Sequence, residues 1–235
     1  MSESKLKAIL FDIENTLLDS AEHKKRCIEF AVDSMIESGL SLEREEAKDL
    51  LWKDYSKRFH GPNVISDFLK NNNQMDEKIL KAGINGYKKG WTQTIETYPQ
   101  VRETLTHLKS LGLRLAIVTD APLRNAKKIL DGLNLSKYFE VIAAPKSSAE
   151  AFKRKPSATL FLEALDSLGL GPSDAAHVGD RLKRDIKGAN DVGLISIHAK
   201  YGEIFSDNGF KCKADYEINA FDELLGVVHS INQKT

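Results

Sequence analysis

The apolar positions of this chain follow two periods that alternate along most of its length. Short apolar runs recur at Ala8 to Phe11, Leu115 to Val118, Val141 to Ala144, Ala176 to Val178 and Leu194 to Ile197. Each is too short for a helix and several are rich in valine and isoleucine, as strands buried on both faces are. Between them lie stretches of helical spacing opened by proline: Pro99 before Val101, Leu105, Leu108 and Leu111; Pro122 before Ala126, Ile129, Leu130 and Leu133; Pro156 before Leu160, Phe161, Ala164, Leu165 and Leu168. Such alternation predicts an α/β domain with a largely parallel sheet, whose ligand site lies at the carboxyl ends of the strands.

From about Ser20 to Tyr98 the pattern is helical throughout. Cys27, Ile28, Ala31, Val32 and Met35 form one apolar stripe. Further helices are expected through Glu43 to Arg58 and Asp76 to Trp91, with Gly61-Pro62 and Asn71-Asn72-Asn73 as breaks. With no internal repeat or low-complexity segment, this reads as a helical lobe inserted after the first strand. An insertion at the carboxyl end of a strand stands over the expected active site, where a mobile lid excludes water and selects substrates. A subdomain that only adds stability would carry the same pattern.

Composition narrows the function classes. The chain has 235 residues, 41% hydrophobic and 29% charged, enough for one substantial core and a smaller second lobe. Lysine plus arginine number 34 and aspartate plus glutamate also 34, so no excess basic charge points to nucleic acid or an anionic membrane as partner. The opening MSESKLKAILFD lacks the pattern of a signal peptide, and no apolar run approaches the ~18 residues of a membrane span. A cytoplasmic protein, monomer or homodimer, is expected. Cys27 and Cys212 lie far apart without a CxxC pair, which fits two buried thiols rather than a disulfide framework or a structural zinc site.

Polar groups gather at the strand ends in four places. AILFDIENTLLDS ends an apolar strand at Asp12, with Glu14 and Thr16 at alternate positions after it. LAIVTDAP ends a strand at Thr119 and Asp120. Taken singly, these are equally well caps and turn residues. In KRKPSATLFLEAL, Lys155 precedes the proline that opens a helix, where it opposes the helix dipole and phosphate recognition explains it better. AAHVGDRLKRDIKGANDVG carries a strand through Gly179 to Asp180 and then Asp185, two acids that suit a hard cation with oxygen ligands.

In order and spacing, these four segments resemble the motifs of the haloacid dehalogenase-like superfamily. The inserted lobe is similar to the helical cap of the subfamily that includes phosphoglycolate phosphatase and the two-carbon haloacid dehalogenases, and VGDRLKRDIKGANDVG looks most like the small archaeal sugar-phosphate or glyceraldehyde-3-phosphate phosphatase type. The resemblance implies a Rossmann-like hydrolase core of residues 1–18 and 99–235 with a helical cap of residues 19–98. It implies a Mg²⁺-dependent phosphatase acting on a small phosphorylated metabolite through an aspartyl-phosphate. Asp12 would be the nucleophile. Asp12, Asp180 and the backbone carbonyl of Glu14 would ligate the metal. Thr119 and Lys155, with backbone amides near Ile13 and Asp120, would bind the transferring group, and Asp185 would orient Lys155 or a metal-bound water. The residues supply what phosphoester hydrolysis needs: a nucleophile, a cation site, donors for the equatorial oxygens and a proton source.

Glu14 departs from the superfamily pattern, which has aspartate two residues after the nucleophile as general acid and base. Glutamate keeps the chemistry but adds a methylene, a displacement of about an ångström that can cost ~10²-fold. A catalytically weakened metabolite-binding protein on the same fold is therefore the alternative. A dehalogenase needs no acid at this position and a phosphonatase needs a cap lysine, so retention of an acid favours the phosphatase. His23, Lys24, Lys25 and Arg26 read as a solvated helix face able to reach a substrate anion, Trp52, Tyr55 and Trp91 as packing within the lobe, and His177 as a core histidine rather than a ligand.

Overall fold

The computed structural model of the chain describes residues 6–58, 63–204 and 209–233. These divide into two compact units, one of the described residues up to Asp19 and from Glu96 onward, and one of those from Ser20 to Ile95.

The first unit is built on six parallel strands, β1 (Ala8–Phe11), β2 (Arg114–Val118), β3 (Val141–Ala143), β4 (Ala175–Gly179), β5 (Ile195–Ala199) and β6 (Tyr216–Ile218), in the spatial order β3-β2-β1-β4-β5-β6. β1 lies inside the sheet, with β2 on one side and β4 on the other, and is buried along its whole length. That explains its unbroken apolar run. The ladder runs on past the strand, with the Asp12 amide donating to the Val178 carbonyl at 3.0 Å. The chain goes outward from β1 to β3 and then crosses back to β4 on the other side, so the crevice at the carboxyl end of β1 is the switch point at which open parallel sheets bind ligands. Helices α5 (Val101–Ser110), α6 (Leu123–Gly132), α7 (Thr159–Leu168), α8 (Lys187–Val192) and α9 (Leu224–Gln233) complete the unit. Leu160, Phe161, Ala164, Leu165 and Leu168 of α7 pack on Leu10, Ala116 and Val118 of the sheet, the stripe that the spacing after Pro156 marks.

Two boundaries differ from the expectation. α7 begins at Thr159, and Lys155 and Pro156 lie in a turn closed by the Ser157 amide on the Arg154 carbonyl at 3.0 Å, so Pro156 does not open the helix. The helix-dipole argument therefore does not apply to Lys155. β6 and α9 lie beyond the last apolar run read as a strand, and β6 escapes the pattern because the exposed Glu217 interrupts its three residues.

The second unit contains α1 (Ser20–Glu37), α2 (Arg44–Arg58), α3 (Val64–Asn71) and α4 (Glu77–Gln93). The stripe Cys27, Ile28, Ala31, Val32 and Met35 is buried as its spacing predicts. α4 is capped by Asp76, whose carboxylate accepts from the amides of Lys78 and Ile79. It approaches α1 so closely that a Cβ on Gly86 would sit 2.3 Å from the Phe30 carbonyl oxygen. The chain breaks at Asn71 to Asn73, where α3 ends; the break at Gly61-Pro62 lies outside the described residues. α3 itself was hidden by its eight-residue length between those two breaks. Lys25 lies over Trp52 at 5.5 Å and Lys24 over Tyr55 at 5.8 Å, while the two rings stack 8° apart. His23 is buried, with Nδ1 on the Thr94 hydroxyl at 3.1 Å and Trp91 edge-on at 5.8 Å, so it does not belong to a solvated helix face. Among the described residues, no helix is long and apolar enough to cross a membrane.

Candidate active site

The four polar strand ends of the sequence converge. Asp12 follows β1, Thr119 follows β2, Asp180 follows β4, and Lys155 enters from the loop between β3 and α7. All four are buried, as is Asp185. Lys155 Nζ donates to Asp12 Oδ1 at 2.6 Å and to Asp185 Oδ1 at 2.5 Å, linking residues far apart in sequence. Carboxylate oxygens of Asp12, Asp180 and Asp185 lie within 4.8 Å of one another.

Local backbone shapes bring these groups together. Asp185 lies in a π-helical turn, Leu182–Ile186, a wide turn frequent at functional sites. The turn folds Asp185 back onto β4, and a Cβ on Gly179 would stand 2.3 Å from the Asp185 carboxyl carbon. Only glycine admits that approach. The Asp185 oxygens are then held from three directions: Lys155, His177 Nε2 at 2.9 Å on Oδ1, and the Arg181 amide at 3.1 Å on Oδ2. His177 is a core histidine, as its place in an apolar strand suggests, yet it also reaches the site. Asp120 accepts from the Lys155 amide at 2.8 Å through Oδ1 and from Arg184 at 3.2 Å through Oδ2, so its side chain ties the lysine loop to the π-turn. Thr119 Oγ1 accepts from the Ala121 amide at 3.2 Å. Glu14 is half-buried in the turn that follows Asp12.

The charges do not balance among themselves. Burial pushes the Asp12 carboxyl up from 3.8 to about 7, opposed by Lys155 and reinforced by Asp185. Burial also raises Asp180 well above the usual carboxylate range, with Asp185 and Asp12 adding to it. Asp185 goes the other way: burial is outweighed by Lys155 and His177, and its carboxyl is held below the usual range. Lys155 stays charged because the carboxylates of Asp12, Asp185 and Asp120 outweigh its desolvation. Two ionised carboxylates within 4.8 Å of each other would repel by about 3.5 kcal/mol or more at an effective dielectric of ~20, and one ammonium cannot neutralise three of them. Asp180 Oδ2 is buried with no hydrogen-bond partner. A partnerless carboxylate oxygen beside two more acids could hold a hard divalent cation.

Arg184, His177 and the Arg181 amide were not singled out as site groups in the sequence, although a histidine inside an apolar strand next to Gly179-Asp180 signals a buried polar partner. The site's sequence and fold both have known counterparts. The model of the haloacid dehalogenase-like hydrolase family matches residues 6–193. A glyceraldehyde 3-phosphate phosphatase of Methanocaldococcus jannaschii is 31% identical over 97% of this chain and 99% of its own length. A phosphoglycolate phosphatase of Aquifex aeolicus is 30% identical over 85% of this chain and 87% of its own. The crystal structure of a HAD phosphatase from Thermococcus onnurineus, 25% identical, superposes with a TM-score of 0.64 over 95% of this chain and 98% of that one. On the family match and the likeness to phosphatases along nearly its whole length, the chain belongs to the haloacid dehalogenase-like hydrolases and is a phosphatase of that family.

Proposed function

We propose that the chain is a Mg²⁺-dependent phosphatase that hydrolyses a small phosphorylated metabolite through an aspartyl-phosphate on Asp12. The observation that carries this reading is the Asp12 carboxylate, fixed at the carboxyl end of the central strand by Lys155 Nζ at 2.6 Å and flanked by the partnerless oxygen of Asp180. Asp12, Asp180 and the carbonyl of Glu14 would hold Mg²⁺, which lowers the repulsion between the nucleophile and the phosphoryl oxygens. A cation there would also oppose the upward pressure on Asp12 and so favour the ionised nucleophile at neutral pH.

An Asp12 oxygen attacks phosphorus as the bond to the substrate oxygen breaks. The proton of the Glu14 carboxyl passes to that leaving alkoxide. Water then attacks the aspartyl-phosphate, the Glu14 carboxylate takes its proton, and inorganic phosphate and free Asp12 result. Lys155 and Thr119, with the amides of Ile13 and Asp120, neutralise charge on the equatorial oxygens. Asp185, held by His177 and the Arg181 amide, keeps Lys155 aimed at Asp12. The helical unit, inserted in the chain after β1, takes the place of the family's cap.

The substrates named for the similar phosphatases are short acids and aldehydes carrying one phosphate, and these are the first to test. Phosphate release from glyceraldehyde 3-phosphate, phosphoglycolate and an aryl phosphate, with Mg²⁺ and after EDTA, decides the reading. Turnover of at least one that vanishes with EDTA and returns with Mg²⁺ supports it; phosphate binding without turnover favours the weakened binding protein that Glu14 leaves open.

A further inference from the structure

We infer that Tyr201 and Gly202, on the loop that leaves β5, are positioning residues for Glu14. The inference rests on the acid-base role proposed for Glu14, and neither residue carries a group that the reaction uses.

The turn after Asp12 is tightly organised. The Ile13 carbonyl accepts from the amides of Leu17 and Leu18, both at 3.0 Å, and the Asn15 amide donates to the Leu18 carbonyl at 2.7 Å. Asn15 adopts a left-handed conformation, φ 56°, which asparagine tolerates but which needs support from its surroundings. Glu14 stands between two anchors, Asp12 on the β-ladder and Asn15 in the turn.

The second anchor is held from outside. β5 runs into a single helical turn, Lys200–Gly202. Gly202 is buried and lies against Asn15 so closely that a Cβ would stand 1.7 Å from the Asn15 carbonyl oxygen, with the Asp180 Cβ 3.1 Å away. Here glycine is required by space, since its backbone is not left-handed. Beside it, the Tyr201 hydroxyl donates to the Thr16 carbonyl at 2.7 Å. Burial, with Tyr98 and Asp180 nearby, keeps that phenol protonated and hence a donor. The Tyr201 ring meets Tyr98 edge-on at 4.8 Å, and the Tyr98 amide donates to the Leu17 carbonyl at 3.0 Å. Asn15, Thr16 and Leu17 are thus held by Gly202, Tyr201 and Tyr98 respectively.

An acid-base group must sit within a fraction of an ångström of its proton-transfer geometry, and a misplacement of about 1 Å can cost ~10²-fold. Glutamate has one more rotatable bond than aspartate, so the backbone beneath it must be better fixed to reach the same precision. The grip of Tyr201 and Gly202 supplies that fixity from the turn that follows β5.

Tyr201→Phe removes one hydroxyl and leaves the ring packing. Its rates with one alkyl and one aryl phosphate are compared with those of wild type and Glu14→Gln, with burst kinetics for the aryl substrate. Alkyl turnover should fall on the order of 10-fold, and aryl turnover should show a larger burst of phenolate before a slower steady state, the signature of an aspartyl-phosphate whose hydrolysis has lost its base. Added to Glu14→Gln, Tyr201→Phe should change rates by less than about twofold, because both act through one carboxyl. Gly202→Ala should repeat the pattern with a greater loss, and Tyr201→Phe carries the test if the alanine variant fails to fold. Equal losses on both substrates without a burst, or no loss in Tyr201→Phe while Glu14→Gln is slow, would overturn the inference alone. Alkyl turnover unchanged in Glu14→Gln would overturn the acid-base role, and this inference with it.

Discussion

Lys155 is the residue on which the site's electrostatics turn. Its ammonium is the cation that meets both Asp12 and Asp185, and removing it leaves carboxylates buried without that partner. Breaking a buried pair on one side costs about 3–5 kcal/mol, far more than the exposed pairs elsewhere on this chain contribute. Lys155→Met should therefore lower thermal stability strongly in metal-free protein and less in saturating Mg²⁺, as thermal unfolding will show; equal losses in the two conditions would mean that lysine and metal do not share the same carboxylates. Asp180→Asn should behave differently, weakening the dependence on Mg²⁺ and activity together, because it replaces the oxygen that lacks any protein partner. Glu14 separates enzyme from binding protein. Glu14→Gln keeps size and should slow turnover of an alkyl phosphate by ~10²- to 10⁴-fold, whereas Glu14→Asp should raise kcat if the extra methylene is the defect. Steady-state rates of the two variants test both statements.

Among the elements, the loop between β4 and α8 shows how backbone shape makes chemistry. Gly179, the π-turn and the Arg181 amide together press Asp185 against Lys155 and His177. Gly179→Ala puts a Cβ where the Asp185 carboxyl carbon now stands, so either the turn opens or the strand end shifts. Activity should fall by ~10²-fold or more, and the melting temperature should drop as well. An active, stable Gly179→Ala enzyme would show that Asp185 need not approach this closely. These contacts also mark the limit of what is legible in the chain. β1 to β5 were visible because each carries a short, mostly apolar run, and Asp12, Thr119 and Asp180 because they follow those runs. β6 was not, because the exposed Glu217 breaks its three-residue run, and neither was the start of α7, since Pro156 sits in a turn that proline suits equally well. The grip of Tyr201 on Thr16 joins residues 185 positions apart through a main-chain carbonyl, and no spacing rule encodes such a contact. Gly202 reads as an ordinary loop glycine until its distance to Asn15 is known.

At the scale of the whole molecule, stability and metal binding are linked through protons. The Asp12 carboxyl lies at about 7 in the folded protein against 3.8 when unperturbed, so between those values the folded state binds a proton that the unfolded state does not. Stability contributed by Asp12 is therefore present in full below 3.8 and is lost as pH rises through about 7; Asp180 acts in the same direction. Asp185, held low, contributes oppositely, with stability present above 3.8 and lost on acidification. Mg²⁺ held on Asp12, as proposed, would compete with the proton there, so it should raise the melting temperature more at about pH 8 than at about pH 6. An equal rise at both would contradict the linkage. The central claim is that Asp12 carries the phosphoryl group, and the most direct measurement is rapid quenching in acid of enzyme mixed with substrate and Mg²⁺, followed by mass spectrometry of its peptides. The account predicts a phosphoryl group on the peptide containing Asp12, labile to hydroxylamine, and absent, along with turnover, from Asp12→Asn. Phosphoryl transfer to another residue, or substantial turnover by Asp12→Asn, would contradict it.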